Sequence, residues 1–313
     1  MKRILAVAYA SSLLLAVMPV PELSKGMSWT ASADADGEPI TPIPLPPPAD
    51  PRKLALGERL FSDTRLSADG TLACSSCHDL RTNGAHAGRR ANPALGELDT
   101  LTVFNAALSY RLTWEGRYHN FADQAEASIG STTNMRSKIA DVVPKLQADM
   151  ALNNQFRAAY GRDVDRDSLL DAISIFEKSL LTPDSRFDRW LGGESSALSP
   201  AELKGYEIFK GFGCSACHQG VNIGGNLIAR QGIFHPLVAQ GPLRVRVPSL
   251  RNVAVTGPYF HDGSAATLDD AVRRMAAAQL DRTLNDEQVA ALVAFLGSLT
   301  GNYRGKPVTG VAP

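Results

Sequence analysis

The hydrophobic residues of this chain recur mostly at helical spacing rather than at strand spacing. Apolar side chains repeat every three to four positions across residues 165–181, 269–280 and 285–299, which predicts amphipathic helices in these segments. Residues 199–202 read Ser-Pro-Ala-Glu and residues 285–288 read Asn-Asp-Glu-Gln, and both sequences are typical of helix N-termini. Because few segments alternate between apolar and polar positions, the predicted fold class is mainly α.

The beginning of the chain has the pattern of an export signal. Lys2 and Arg3 precede an apolar run over residues 4–20, and Ala-Ser-Ala at residues 31–33 is a candidate processing site. We therefore expect a signal peptide at residues 1–33 and a periplasmic destination. The alternative is an uncleaved membrane anchor, since the stretch between the apolar run and the triplet is long. A proline-rich arm at residues 34–50 should follow, extended and without regular structure.

A weak internal repeat divides the remainder of the chain. Residues 57–61 (Gly-Glu-Arg-Leu-Phe) precede Cys74, and residues 205–209 (Gly-Tyr-Glu-Ile-Phe) precede Cys214. Each copy predicts a short amphipathic helix followed by a loop that carries cysteines, so we expect two related domains. The turn-rich segment 191–198 is the expected boundary between them. The predicted units are an N-terminal domain at 51–195, a C-terminal domain at 196–304 and a tail at 305–313.

Charge and composition narrow the function classes. The 313 residues include 32 lysines and arginines and 32 aspartates and glutamates, so the formal net charge is zero. A nucleic-acid binder would normally carry a basic excess, and we exclude that class. The four cysteines form two closely spaced pairs, and each pair is followed directly by one of the six histidines.

The two cysteine segments have the c-type haem attachment signature. Residues 74–78 read Cys-Ser-Ser-Cys-His and residues 214–218 read Cys-Ser-Ala-Cys-His. In this spacing two thiols bond to the haem vinyl groups, and the adjacent histidine becomes the proximal iron ligand. A zinc site does not need a histidine after both pairs, and exported cysteines could instead form disulfides. We predict two covalent c-type haems, held by Cys74, Cys77, His78, Cys214, Cys217 and His218.

A sixth iron ligand would decide what each haem does. An iron held only by its proximal histidine can bind peroxide, whereas a six-coordinate iron mainly transfers electrons. Met275, in the predicted helix 269–280, is a candidate ligand of the kind that raises a haem potential. A methionine in such a helix is also a common core residue, so the spacing alone leaves both roles open.

The sequence resembles the bacterial di-haem cytochrome c peroxidase superfamily, which includes the MauG-type enzymes. The most specific matching stretch covers residues 246–263, from Arg-Val-Pro-Ser-Leu-Arg-Asn to Tyr-Phe-His-Asp-Gly, and is followed by Met275. Residues 102–106 and 114–117 match in the first half. The resemblance implies two cytochrome c-like domains, each with one covalently attached c-type haem. Met275 then becomes the axial ligand opposite His218, and the peroxidatic haem belongs to the N-terminal domain.

Further residue roles also follow from this resemblance. Trp114 matches the tryptophan between the two haems, and Gln124 matches a residue of the peroxidatic pocket. The family binds calcium between its domains, and the matching positions are Asp99 with the backbone carbonyls of Thr256 and Pro258. Asparagine is the more usual residue at the first of these positions, but an aspartate oxygen also suits calcium.

Two departures from the family concern the chemistry itself. Asn134 stands where the family carries a glutamate, and an amide cannot act as a general base. Glu126 is a candidate replacement. The segment between His78 and Asp99 is short, and His86 is its only histidine. His86 is therefore a candidate switchable ligand of the first haem, a pocket acid–base group or a surface loop residue.

The leading hypothesis is a peroxidase that reduces hydrogen peroxide to water with electrons from a small periplasmic cytochrome c or cupredoxin. The first alternative is a MauG-like enzyme that oxidises side chains of a partner protein. Asn134 favours this alternative and Met275 counts against it, since MauG uses a tyrosine on its six-coordinate haem. The second alternative is a non-enzymatic electron carrier with two six-coordinate haems. Because the family is often dimeric, a second copy of the chain is also a candidate partner.

Overall fold

The computed structural model describes residues 37–85, 98–239 and 241–311. Helices dominate these ranges, which confirms the predicted mainly α class. The helices are α1 Pro51–Phe61, α2 Phe121–Gly130, α3 Ile139–Gln147, α4 Met150–Tyr160, α5 Arg166–Ser179, α6 Arg186–Leu191, α7 Pro200–Gly211, α8 Leu268–Leu280 and α9 Asp286–Gly297. Two short antiparallel hairpins join β1 Ile228–Arg230 to β2 Arg244–Arg246 and β3 Asn302–Tyr303 to β4 Lys306–Pro307. No helix within the described ranges is long and apolar enough to cross a membrane.

The N-terminal caps read from the sequence are present. The Ser199 side chain accepts a hydrogen bond from the Glu202 amide, and the Glu202 side chain accepts one from the Ser199 amide. Asn285 and Gln288 form the same reciprocal pair at the start of α9. Such boxes satisfy amides that have no partner within the helix, and they fix where α7 and α9 begin.

We call the part of the chain with α1 to α5 the first half and the part with α7 to α9 the second half. The two halves share one helix crossing, and a glycine permits it in each half. Helix α1 packs on α5, and α7 packs on α9. A Cβ atom built on Gly57 would lie 2.1 Å from the Ala172 carbonyl oxygen, and one built on Gly205 would lie 1.9 Å from that of Ala291. Side chains at these positions would therefore force the helices apart. The repeat seen in the sequence is thus a repeat of close helix packing.

The two halves meet at a buried threonine. Thr182, which follows α5, accepts hydrogen bonds at Oγ1 from Asn105 Nδ2 at 2.7 Å and from Asn252 Nδ2 at 3.0 Å. Both asparagines have left-handed backbones, with φ of 60° and 61°, and each begins a short 3-10 turn. Gly301 completes the arrangement by donating its amide to Asn252 Oδ1. We call Asn105, Thr182, Asn252 and Gly301 the central hub.

The described part of the N-terminal arm, residues 37–50, lies against the second half of the chain. It has no regular secondary structure before α1. The Ile40 side chain is buried in the core that contains Phe187 and Phe295. Lys210 Nζ donates to the Glu38 carboxylate at 3.0 Å, and the Arg251 guanidinium donates to the Thr41 carbonyl at 2.9 Å. The arm therefore contributes to the core of the second half.

Candidate cofactor and active site

One large cavity of about 720 Å³ brings the two cysteine motifs together. It is lined by apolar side chains from both halves, as expected for a cofactor site. The predicted haem-binding residues on its wall are Cys74, Cys77, His78, Cys214, Cys217, His218 and Met275. Trp114, Gln124, Asn134, Asp99, Thr256 and Pro258 line the same cavity. Thirteen of the fourteen site residues predicted from the sequence therefore line one cavity.

Each cysteine motif begins on a 3-10 turn, Cys74–Ser76 in the first half and Cys214–Ala216 in the second. All four cysteines lie in the described part of the chain, and their thiols are free, so the disulfide alternative is not realised there. Burial raises the pKa of Cys74 to about 12 and that of Cys214 to about 11. Neutral thiols inside an apolar cavity suit thioether attachment to a haem edge.

The two motif histidines are held in the same way. His78 Nδ1 lies 3.1 Å from the Gly84 carbonyl oxygen, and His218 Nδ1 lies 3.3 Å from that of Ile223. A carbonyl at Nδ1 fixes the ring orientation and the tautomer, as partners of metal-binding histidines do. Burial also lowers the pKa of His218 to about 4, so this imidazole is neutral, as an iron ligand must be. The residues present therefore fit a haem in each half.

The helices that follow the two motifs carry different side chains at an equivalent position on the cavity wall. Helix α2 is capped by Asn120 and α8 by Thr267, and each cap side chain accepts a hydrogen bond from the third residue of its helix. Ser128 is the eighth residue of α2, and Met275 is the eighth residue of α8. Both line the cavity. A methionine sulfur can bind iron, whereas the short serine leaves this position without a thioether.

The residues around Ser128 are polar, but residue 134 is an asparagine and supplies no carboxylate. Asn134 Nδ2 donates to Ser128 Oγ at 3.3 Å, and Gln124 lies one helical turn earlier on α2. Glu126 does not line the cavity, because its carboxylate is paired with the Arg166 guanidinium on the protein surface. Glu126 is therefore not the replacement for the missing glutamate in this structure.

Trp114 is fixed from several directions. Its indole Nε1 donates to the Asp99 carbonyl oxygen at 2.8 Å, and its ring meets the buried His261 ring edge-on at a centroid distance of 6.2 Å. The Arg246 backbone amide donates to the Trp114 carbonyl at 2.7 Å, and the Arg246 guanidinium donates to that of Thr113 at 3.1 Å. The tryptophan is therefore held between elements of both halves.

The predicted calcium positions lie in the same cavity. Asp99, Thr256 and Pro258 all line it, and burial raises the pKa of Asp99 to about 6. No cluster of three or more His, Cys, Asp or Glu side chains suited to a metal ion occurs within residues 37–85, 98–239 and 241–311. A cation here would depend on backbone carbonyls together with the single carboxylate of Asp99.

The remaining histidines take different places. His86 lies outside the described residues. His119 is exposed and meets the Tyr110 ring edge-on, and the exposed His235 lies 2.9 Å from Asp281. Neither of these two side chains lines the cavity.

Two buried charged residues on the cavity wall were not predicted from the sequence. Arg246 on β2 is almost fully buried, and burial lowers its pKa to about 10. Glu177 on α5 is also buried, and burial raises its pKa to about 8. The sequence signal for Glu177 was a glutamate on the apolar face of a predicted helix. The sequence does not show that Glu177 lines the cavity, because that depends on which helices enclose it.

Comparisons with known proteins agree with this geometry. Residues 51–196 match the di-haem cytochrome c peroxidase family, and residues 203–300 match the cytochrome c family. A cytochrome c peroxidase from Escherichia coli is 40% identical over 85% of this chain, although the match spans 62% of its own length. A cytochrome c551 peroxidase from Nitrosomonas europaea is 37% identical over 88% of both chains.

More distant matches include proteins of the MauG type. The methylamine utilization protein MauG from Methylophilus methylotrophus is 29% identical over 83% of this chain and 86% of its own length. The crystal structure of a MauG-like protein associated with microbial copper homeostasis superposes with a TM-score of 0.70 at 26% identity, covering 83% of this chain and 93% of that one. The matches confirm the predicted resemblance, the two cytochrome c-like domains and the oxidoreductase class, and they imply two haems.

Proposed function

Because the chain belongs to the di-haem cytochrome c peroxidase family, we propose that it reduces hydrogen peroxide to water in the periplasm. The electrons come from a small cytochrome c or a cupredoxin. Each peroxide molecule accepts two electrons and two protons and yields two molecules of water. The observation that carries the proposal is the asymmetry of one shared cavity, with Met275 on one helix and Ser128 at the equivalent position of the other.

The chain holds one haem at each motif. Cys74 and Cys77 attach the first, and Cys214 and Cys217 attach the second. When bound, haem supplies peroxide cleavage at an iron with an open position and electron storage at a six-coordinate iron. His78 and His218 would hold the haem irons, because the carbonyl groups at Nδ1 orient both rings.

Met275 makes the second half the electron-storing half. Met275 and His218 line the same cavity, and the Met275 thioether would hold the second haem together with His218 and would raise its potential. Ser128 leaves the equivalent side of the first half open to a small oxygen-containing substrate. Gln124 and Asn134 then hold peroxide by hydrogen bonds, while the proton movements require another group, since neither amide is a base.

Trp114 serves as the electron relay between the halves. It is held by Asp99 in the first half and by Arg246 in the second, so its indole keeps a fixed position in the shared cavity. A fixed aromatic ring needs little reorganisation when an electron passes. Arg246 is a positioning residue here, since its hydrogen bonds go to the backbone on both sides of the tryptophan.

Steady-state turnover tests the proposed reaction. Protein shown to carry both haems is mixed with a reduced small cytochrome c and hydrogen peroxide, and oxidation of the cytochrome is followed. We expect two cytochromes to be oxidised for each peroxide consumed. Turnover no faster than that of free haem would reject the peroxidase function.

Asn134 supports a second candidate, a MauG-like oxidation of side chains on a partner protein. The amide at this position, with Glu126 engaged on the surface, leaves the peroxide pocket without the family's carboxylate. Slow peroxide turnover with cytochrome, together with peroxide-dependent mass changes in a co-purified partner protein, would favour this candidate. Rapid two-electron turnover with cytochrome alone would favour the peroxidase.

We also propose that the protein binds one calcium ion between its halves. Asp99 supplies a carboxylate oxygen, and Thr256 and Pro258 supply carbonyl oxygens, which are hard ligands that suit calcium. Calcium would also compensate the buried charge of Asp99. Isothermal titration of the chelator-treated holoprotein should show one site, and Asp99→Ala should remove it. Unchanged calcium binding in that variant would overturn the assignment.

A further inference from the structure

Glu177 is a buried carboxyl group that the proposed reaction does not yet use. It lies on α5, is 8% exposed and lines the cavity that holds the cysteine motifs. Its Oε2 atom is buried and has no hydrogen-bond partner in the described part of the chain. A buried polar atom without a partner costs about 1–3 kcal/mol, so a purely structural side chain would not be expected here.

The second half shows that the fold does not need this carboxyl. Phe176 on α5 packs at Gly57, and Phe295 on α9 packs at Gly205, which makes the two phenylalanines equivalent. The next residues, Glu177 and Leu296, are therefore equivalent as well, and both line the cavity. The same helix crossing is built with leucine in one half and glutamate in the other. The glutamate is thus specific to the half that carries Ser128.

We propose that Glu177 is the proton-exchanging group of the first half, taking up one proton when an electron arrives at the haem held by His78. This inference rests on the proposed haem attachment and peroxidase function. The electron comes from the cytochrome or cupredoxin donor, and the proton comes from solvent and binds the Glu177 carboxylate. The proton is released again when the electron leaves. Glu177 in this way keeps the charge of the buried cavity nearly constant.

The surroundings of Glu177 are electrostatically simple. The titratable side chains on the helices packed against α5 are Arg52, Lys53, Glu58 and Arg59 on α1, Asp123 and Glu126 on α2, and Asp141 and Lys145 on α3. None of them shifts the pKa of Glu177, which burial alone raises. Glu177 itself helps to raise the pKa of the Cys74 thiol on the first motif turn.

The direction of the coupling follows from charge. Burial raises the pKa of Glu177 to about 8 when no haem charge is present. A ferric centre carries one more positive charge than a ferrous one, so it stabilises the carboxylate and lowers this pKa. Between the lower ferric pKa and the higher ferrous pKa, reduction binds one proton. The reduction potential should therefore fall with rising pH inside this window and level off outside it.

The test is a potentiometric titration of the first haem in the holoprotein between about pH 5 and about pH 9. We expect the wild-type potential to fall as the pH rises, because one proton is bound for each electron. Glu177→Gln, which keeps the side-chain shape, should lose this dependence. Glu177→Leu, which introduces the residue found at the equivalent position, should lose it as well.

Glu202→Gln is the matched control. Glu202 is also buried and caps α7, but it is paired with Arg186 and does not line the cavity. This variant should keep the wild-type pH dependence. Equal pH dependence in wild type, Glu177→Gln and Glu177→Leu would overturn the inference. Since potentials are measured without peroxide, a failed turnover assay would reject the peroxidase function while leaving the result for Glu177 intact.

Discussion

Ser128 and Met275 are the eighth residues of two equivalent helices, and both face the one cavity that contains the haem-attachment motifs. The helices begin with the same kind of cap, and each follows a loop in which a short bridge pairs residue 112 with 118 or residue 259 with 265. The repeat therefore conserves the scaffold and changes the side chain at the position proposed to bind iron. On this account, one substitution between the halves separates electron storage from peroxide binding.

Exchanging these two side chains should move the sixth ligand. Met275→Ala should remove the methionine ligand from the second haem and lower its potential, because methionine ligation raises haem potentials. Ser128→Met should supply a sixth ligand to the first haem and suppress its reaction with peroxide. Absorption and magnetic circular dichroism spectra of each holoprotein would report both changes.

Met150→Ala is the control for these variants, since Met150 is exposed and does not line the cavity. Its spectra should be those of the wild type. A methionine-ligated signal that persists in Met275→Ala would show that another residue binds the second iron.

Restoring a carboxylate at position 134 should speed up peroxide reduction. Asn134 lines the cavity beside Ser128, so Asn134→Glu would place a base among the groups that hold peroxide. We expect kcat/KM for peroxide to rise by about 100-fold, the lower end of the range for a positioned general base. Stopped-flow mixing of the half-reduced protein with peroxide measures this rate. An equal or slower rate in a variant with both haems would count against a proton-transfer role for this position.

Replacing the relay tryptophan should slow electron transfer without weakening peroxide binding. Trp114→Phe keeps an aromatic ring but loses the hydrogen bond to Asp99. We expect kcat to fall by about tenfold, or roughly 1.4 kcal/mol in activation free energy, with little change in KM. Trp190→Phe alters a tryptophan in the core that contains Phe187 and Phe295, and it should leave kcat unchanged. Equal kcat values for Trp114→Phe and wild type would remove the relay role.

The N-terminal arm should stabilise the second half. Ile40→Ala removes a fully buried side chain from the core around Phe187 and should lower the free energy of unfolding by about 2–4 kcal/mol. Leu45→Ala, at an exposed position of the same arm, should have little effect. Urea unfolding of the holoprotein, followed by circular dichroism, compares the two. Similar stabilities for both variants would mean that the arm does not contribute to the core.

Much of the scaffold could be predicted from local sequence signals. The capping residues Ser199 and Asn285 act within one helical turn, so their pattern was sufficient to predict where α7 and α9 begin. The helix predicted to reach Leu299 ends at Gly297, since a helix C-terminus carries a weaker signal than its cap. The haem-attachment motifs could be predicted because their chemistry requires a fixed local spacing.

The features that sequence patterns did not reveal depend on contacts between distant segments. The central hub joins Asn105, Thr182 and Asn252, and no local pattern marks Thr182 as their shared partner. The burial of Ile40 likewise depends on the arm crossing to the second half. Aligning the segment that ends at Ser128 with the one that ends at Met275 would have exposed their equivalence. That alignment needed the helix positions that the structure supplies.

Electron paramagnetic resonance of the half-reduced holoprotein, with and without peroxide, tests the central asymmetry most directly. The methionine-ligated second haem should take the first electron and lose its resonance signal. The remaining ferric signal, from the first haem, should then change when peroxide is added, in wild type but not in Ser128→Met. A ferric signal that peroxide does not change in wild type would contradict this asymmetry. A first electron that enters the first haem would contradict it as well.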